Sequence, residues 1–454
     1  MKRKQYSMLQ GPLLPSVISY AVPIILTGIL QLLFNAADLV VVGQYCGSNS
    51  VASVGATGSL TILLVNFFVG FSVGAGANMA NAIGSRDNNL MHRIVHTAMA
   101  VALACGLLLT VVGIFFSETF LIWMGTPENL LPLSTLYMRI YFGGILFTMV
   151  YNFSASILRA AGDTRSPLVF LTISGVVNVL LNLLFVTALQ MDVAGVALAT
   201  TISQGIAAAL TVMALMKRTD ACRLNLKKIR FYRVPLLKII SQGLPAGLNS
   251  ALFSISNVII QSSINSFGEV AISGNSAAGS IEGFVYVGMD AFAQSSINFT
   301  GQNAGAGQYK RVGRVLWTCL GCVMAAGVIL GSVAFLLAPE LLKLYVPDSP
   351  DAVIDGITRM KYICCTYFLC GMLNVCTGVL RGMQVSLLPM FISVLGVCGI
   401  RLAWIYTIFQ EPRFHTLDNL YVSYPISWIV TLAVTLAAAL MVLRKRLTAH
   451  ETGL

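Results

Sequence analysis

Between residues 14 and 443 the chain is a succession of long apolar stretches separated by short polar loops. Only 10% of the 454 residues are charged and 57% are apolar, whereas a water-soluble domain carries about 25% charged and about 45–50% apolar residues. That balance cannot clothe a water-facing surface of ordinary size, so the chain reads as a polytopic membrane protein. A span takes about 20 apolar residues. Hydropathy predicts twelve, near 14–42, 51–80, 94–116, 133–157, 167–188, 194–216, 235–265, 271–298, 315–338, 352–380, 388–409 and 420–443. Several exceed the minimum, which predicts tilted or kinked helices.

The formal charge of +11 could suggest a nucleic-acid partner, but the basic residues alternate with the loops. One side holds 22 of the 28: Lys2, Arg3, Lys4, Arg86, Arg93, Arg159, Arg165, those from Lys217 to Lys238, Lys310, Arg311, Arg314, Arg381 and Arg444 to Arg446. The other side holds six: Arg139, Lys343, Arg359, Lys361, Arg401 and Arg413. The positive-inside rule then puts both termini and the linker in the cytoplasm. The start, MKRKQYSMLQGPLLP, is basic but lacks a small-residue cleavage site, so no cleaved signal peptide is expected. The ten cysteines sit mostly inside predicted spans without metal-ligand spacing. The CxxC of Cys319 and Cys322 lies in an apolar helix, so these thiols read as buried and inert, and no metal site is expected.

The linker KRTDACRLNLKKIRFYR divides the chain into six spans before and six after. At an offset of 222, Pro23 falls on Pro245, Asn35 on Asn257, Glu118 on Glu340, Asn152 on Asn374, Arg159 on Arg381 and Pro167 on Pro389. Scarce residue types aligned in this way point to an internal duplication. The expected domains are an N-terminal six-helix lobe at 1–216, a cytoplasmic linker at 217–234 and a C-terminal six-helix lobe at 235–454. With an even number of spans each, the two repeats share one orientation and a pseudo-two-fold axis along the membrane normal. Transporters built this way hold substrate between their repeats and alternate its access. Pro23 and Pro245, in the first helix of each half, are candidate hinges, because proline removes a backbone hydrogen bond and clashes with the preceding turn. The Gly-rich strings GFSVGAGANMANAIG and GQNAGAG follow helices and lack a phosphate-loop ending. They predict close helix packing instead.

The first span carries Gln31, Asn35 and Asp38 at i, i+4 and i+7, on one stripe of a helix. A carboxylate inside a span costs about 2.5–3.5 kcal/mol and is expected to face a partner or a water-filled cavity. By depth, Asp38, Asn178, Asn182 and Thr200 or Thr201 all fall in the middle-to-outer part of the first repeat. Such a set could supply oxygens to a hard cation or stabilise a proton on Asp38; the bland alternative is asparagines that merely hydrogen-bond between helices. In the second half Asn257 has no acid beside it, but the eighth span holds Glu282 and Asp290 with Tyr286 between them at i+4 from each. These three could draw in an organic cation, with Tyr286 providing a π face. Other readings are a structural pairing of Glu282 with Arg401 and a solvated Asp290.

With its twelve-span duplication, the pattern from Pro23 to FNAADLVVVG, the loop GQNAGAG, and LRAAGDTRSP mirrored by LRGMQVSLLP, the chain resembles the multidrug and toxic compound extrusion (MATE) family throughout its length. The resemblance implies a secondary antiporter of the cell membrane that exchanges an inward proton or sodium ion for an outgoing amphipathic, mostly cationic compound. It implies no other cofactor. It also maps an ion-coupling site onto Asp38, Asn178, Asn182 and Thr200. Many relatives have an aspartate where this chain has Asn182, and acids on helices seven and ten are not matched. That leaves H+ or Na+ as the coupling cation, with a lean to protons. Gln31, Asn35, Asn152, Asn257, Glu282, Tyr286, Asp290 and Asn374 are the candidate substrate-cavity residues. Small-molecule cations and the lipid bilayer are the expected partners, without nucleic acid, and a monomer is expected. The alternative is a flippase for a lipid-linked precursor, although only Arg139 and Arg401 within the spans could meet its anionic headgroup. His92 and His96 share a helix face but lack an acidic partner, and no other catalytic constellation occurs, so no enzyme is expected.

Overall fold

The structure is a computed structural model and describes residues 8–347 and 349–452; the basic start at Lys2, Arg3 and Lys4 lies outside the described residues. Every regular element among the described residues is helical, as a backbone that must satisfy its own polar groups in hydrocarbon requires. The first half contains α1 (Leu13–Tyr45), α2 (Ser48–Gly84), α3 (Asn88–Trp123), α4 (Leu131–Gly143), α5 (Ile145–Ala160), α6 (Arg165–Leu183) and α7 (Asp192–Met216). The second contains α8 (Arg233–Asn265), α9 (Glu269–Gly305), α10 (Tyr309–Leu336), α11 (Ala338–Tyr345), α12 (Pro350–Ile363), α13 (Tyr367–Gly382), α14 (Leu387–Ser393), α15 (Ile400–Tyr406) and α16 (Leu417–Glu451). Single π-helical segments, Leu184–Ala188 and Val394–Gly399, interrupt the fifth expected span of each half.

Among the described residues ten helices are long and apolar enough to cross a membrane, or eleven if α4 and α5, bent by 44° at their junction, form one span. Gly144 sits at that bend, and a Cβ there would lie 2.3 Å from the Thr201 methyl. The eighth expected span differs from the others in chemistry. It lies in α9, whose 37 residues include Glu269, Glu282, Asp290 and many Ser, Asn and Gln side chains, so it fails a test of apolarity that its neighbours pass. Large apolar side chains such as Phe115, at 72% exposed, and Leu336, at 76%, face outward, as hydrocarbon-facing surface requires.

The described chain divides into two compact units. Residues 26–247 form unit 1, and residues 8–25 with 248–452 belong to unit 2. The first helix of each half is therefore shared: α1 changes unit after Ile25 and α8 after Gly247. Pro23 and Pro245 each lie two residues before the change, inside helices that run on through them.

Unit 1 is knitted by small residues. A Cβ on Gly70 would lie 2.3 Å from the backbone nitrogen of Gly247, and one on Gly74 would lie 2.6 Å from that of Gly243. Two glycines four residues apart on α2 thus face two on α8, the spacing that lets backbones approach most closely. Asn78 locks the pair, its Nδ2 donating to Lys238 O at 3.0 Å. This is the close packing expected from the Gly-rich string of α2. In the linker, the Asn225 N–H donates to His96 Nε2 at 3.1 Å and the Tyr232 N–H to Thr97 Oγ1 at 3.2 Å. His92 and His96 therefore anchor a loop, since the ring of His96 uses its other nitrogen on His92 O at 2.6 Å. Burial works to raise the Asp220 carboxyl, but hydrogen bonds and charge from Arg218 outweigh it and hold the group below its ordinary value.

Unit 2 is organised around α9, which packs against α10, α12 and α13, while α16 closes on α12 and α13. The start of the chain is tied to it through Asn303 Nδ2, which donates to Met8 O at 3.1 Å, and through Tyr20, edge-on to Phe299 at 5.5 Å. All ten cysteines are free thiols, and five of them, Cys319 included, are buried.

Because backbone atoms line the α2–α8 contact, Gly74→Ala is expected to overpack it at a cost of about 1–3 kcal/mol. Gly58→Ala, whose Cβ meets nothing within 4 Å on the same helix, serves as the control. Thermal unfolding in detergent should show the first variant melting several degrees below the second.

Candidate functional site

The polar residues of the first half converge in unit 1. Phe34 of α1 presses its ring against Gly175 of α6, where a Cβ would sit 1.8 Å from the ring. One turn further along α1, and one and two turns further along α6, that close approach sets Asp38 beside Asn178 and Asn182. Asn182 Nδ2 donates to Asp38 Oδ1, and Thr200 Oγ1 of α7 donates to Asp38 Oδ2 at 3.4 Å. Asn178 Nδ2 donates to Thr200 Oγ1, and Asn182 Nδ2 also reaches Asn178 Oδ1, both at 3.3 Å. Asn178 is 4% exposed and Asn182 fully buried. The Asn182 Oδ1 atom is buried without a hydrogen-bond partner. All four residues expected at the coupling site thus belong to one network. It sits where α6 gives way to the π segment at Leu184, a distortion that recurs at functional sites.

The chemistry of the network is that of one carboxylate met by amide and hydroxyl donors. Hydrogen bonds from Asn182 and Thr200 stabilise the charged form of Asp38, and desolvation opposes it. Such a balance can be tipped by one proton. The same four side chains also offer several oxygens, the ligand type a hard cation takes, although the Asn182 amide nitrogen faces the carboxylate. Among the described residues no cluster of three or more His, Cys, Asp or Glu could hold a metal.

The other candidates of the first half stay apart from this network. Gln31 and Asn35 are exposed on α1, and Asn152 turns its Nδ2 to Thr148 O, 2.8 Å away in its own helix. In unit 2, Asn257 is exposed on α8 and Asn374 half-buried on α13. Asp290 accepts from Gln294 Nε2 at 2.7 Å. Tyr286, 40% exposed, faces Tyr367 at 6.2 Å between ring centroids.

Glu282, a candidate cavity residue, is paired in the structure, and with an arginine other than the Arg401 of the alternative reading. Arg359 of α12 grips it with two bonds, Nε to Oε1 at 2.9 Å and Nη2 to Oε2 at 2.7 Å. Arg401 plays no part: its Nε donates to Ser427 and its guanidinium lies on Tyr424. The reason is topological, since α12 runs along α9 whereas α15 packs on α16. Arg359 also donates to Asn275 Oδ1, which accepts from the Tyr421 hydroxyl at 3.2 Å, and Asn275 Nδ2 donates to Gln261 Oε1 at 2.8 Å. Sequence reasoning passed over Arg359 and Asn275 because it counted Arg359 with the outer loop residues. The signal available was the position of Arg359, inside the stretch expected to span at 352–380. The ion pair is nearly dry, with side-chain exposures of 14% and 6%. Arg359→Ala should therefore leave a buried carboxylate unpaired and destabilise by about 3–5 kcal/mol. Adding Glu282→Gln should recover much of that loss in thermal unfolding.

The MatE family model matches residues 23–184 and again residues 245–407. The chain is 27% identical over 402 residues to the probable multidrug resistance protein YpnP of Bacillus subtilis (strain 168), covering 88% of this chain and 89% of that one. It is 21% identical over 385 residues to the multidrug export protein MepA of Staphylococcus aureus (strain NCTC 8325 / PS 47), covering 84% of each. Among solved structures, that of a MATE protein in the bent conformation superposes with a TM-score of 0.91 over 99% of this chain and 100% of that one, at 19% identity, a likeness of fold. The two family matches together take in well over half the chain, and the protein belongs to the MatE family of multidrug efflux transporters, multi-pass membrane proteins that are not enzymes.

Proposed function

We propose that the protein is a secondary antiporter of the cell membrane in which Asp38 binds the coupling cation, H+ or Na+, and so drives export of amphipathic, mostly cationic compounds. The observation that carries this reading is the Asp38, Asn178, Asn182 and Thr200 network, a lone carboxylate held by Asn182 and Thr200 with Asn178 bridging those two. A single carboxylate leaves little negative charge to hold Na+, which leans the reading toward the proton. Cargo contacts are assigned to Gln31, Asn35, Asn152, Asn257, Tyr286, Asp290 and Asn374. Glu282 is a weaker cation site, since Arg359 already neutralises it.

The twelve-span reading adds α9 and the bent pair of α4 and α5 to the ten apolar helices. Two six-helix repeats, 1–216 and 235–454 about the linker 217–234, are supported by the family model, whose two matches begin at residues 23 and 245, the offset of 222 that relates Pro23 to Pro245. Both termini lie in the cytoplasm by the distribution of Lys and Arg, and one chain suffices for the cycle. Alternating access then works as two states that ion and cargo bias differently. Pro23 and Pro245 serve as hinges, a role supported by their placement just before the points where α1 and α8 pass from one unit to the other. Of the two span arginines the flippase reading needs, Arg139 is engaged with Glu118 at 3.2 Å on the exposed surface, which leaves Arg401 alone to meet a headgroup.

Ethidium uptake into everted membrane vesicles, driven separately by a pH gradient and by a sodium gradient, tests the reading. Wild type should respond to the pH gradient, and Asp38→Asn should lose at least nine-tenths of that response while reaching the membrane in equal amount. An undiminished response in Asp38→Asn would remove Asp38 from the coupling step.

A further inference from the structure

Unit 2 holds an arginine that the antiport scheme leaves unused. Arg401 lies in α15, in the interior of the eleventh expected span, and is 3% exposed, whereas Leu395 on the same span is 70% exposed. The side chain therefore turns away from lipid and toward α16. Its Nε donates to Ser427 Oγ at 3.0 Å, and its guanidinium carbon stands 3.9 Å from the centre of the Tyr424 ring and 5.4 Å from that of Trp428. Among the described residues no carboxylate lies within ion-pair distance of it, and neither Nη group has a hydrogen-bond partner.

The other arginines inside this unit are placed differently. Arg359 has Glu282, and Arg381 lies in the field of Asp290 and Tyr286. A guanidinium carries five N–H donors in a planar fork and stays charged at any physiological pH. Ring faces stabilise that charge but cannot accept the two parallel hydrogen bonds that the fork is shaped to give. An unpaired cation within a membrane span marks a substrate path or a relay unless a partner is found. The rings lead away from Arg401 as a row: Tyr424 meets Trp428 edge-on at 5.7 Å, Trp428 stacks on Tyr367 at 5.4 Å, and Tyr367 faces Tyr286 at 6.2 Å.

We propose that Arg401 is an anion-recognition point of the transport path, binding the carboxylate or phosphate of an amphipathic compound whose aromatic body lies against Tyr367 and Tyr286, the partly exposed end of the row. The inference rests on the transport reading and narrows its cargo. Compounds with an oxyanion, including zwitterions whose cationic end reaches toward Asp290 and Tyr286, bind in unit 2 as well as simple cations.

Binding of 1-naphthoate and of its uncharged isostere 1-naphthamide to the full chain in phosphatidylcholine nanodiscs, measured by calorimetry, tests this without any flux. A defective ion coupling would abolish gradient-driven uptake yet leave the binding comparison intact. Naphthoate should bind wild type at least tenfold more tightly than naphthamide, Arg401→Gln should erase that difference while leaving naphthamide affinity in place, and Arg401→Lys should keep part of it. Equal binding of the two compounds to wild type overturns the proposal before any variant is needed. Unchanged naphthoate affinity in Arg401→Gln overturns it as well. Repeating the titration in phosphatidylglycerol discs identifies the source of the anion: tenfold weaker naphthoate binding supports a lipid headgroup as the natural occupant, and unaltered binding supports a soluble organic anion.

Discussion

Hydrocarbon offers no hydrogen bonds, and most features of this molecule follow from that constraint. Backbone groups satisfy themselves in helices. Polar side chains inside the spans have no such automatic solution, and each must find another, a water-filled path or a ligand. They sort into three arrangements. Asp38 is met by neutral donors, Glu282 by a full countercharge, and Arg401 by a hydroxyl and aromatic rings. These are a titratable group, a neutralised pair and an unmatched cation, in order of how much of the charge is compensated within the protein.

Close approach of helices makes the first two possible, and small residues make the close approach. Phe34 can lie on α6 only because Gly175 has no side chain, and the Asp38 network forms within two turns of that contact. Gly144 combines the same advantage with a bend, letting Thr201 of α7 occupy the volume a Cβ would fill. Where α2 meets α8, four glycines bring backbones together and Asn78 adds a hydrogen bond that a wider gap would forbid. In a medium where apolar surface gains little by leaving lipid, such contacts are what hold helices together.

The units also differ in the chemistry they hold. Unit 1 carries an uncompensated carboxylate in a network of amides and hydroxyls. Unit 2 carries an internal ion pair, an aspartate in the field of an arginine, and a further arginine among aromatics. A carboxylate among neutral donors suits a cation, and a guanidinium among aromatic rings suits an oxyanion. At the offset of 222 that aligns the scarce prolines and asparagines, neither Asp38 nor Arg401 has a counterpart of like charge.

Much of this was legible in the linear chain. Scarcity of charge and the length of the apolar runs announced a helical membrane protein, and depth along the spans put Asp38, Asn178, Asn182 and Thr200 at one level, where the structure joins them in one hydrogen-bond network, because a helix converts sequence spacing into position along one axis. Depth says nothing of azimuth, however. Whether Glu282 meets Arg359 or Arg401 depends on which helices are neighbours and which faces they turn to each other, and both arginines sit within expected spans. The same limit applies to α9, polar along much of its length yet central to unit 2, and to the division of α1 and α8 between units. Composition and periodicity determined that the chain crosses the membrane and at what level its polar residues stand. Only the packing of helices side by side decided their partners, because that choice is made by long-range contacts that no local spacing encodes.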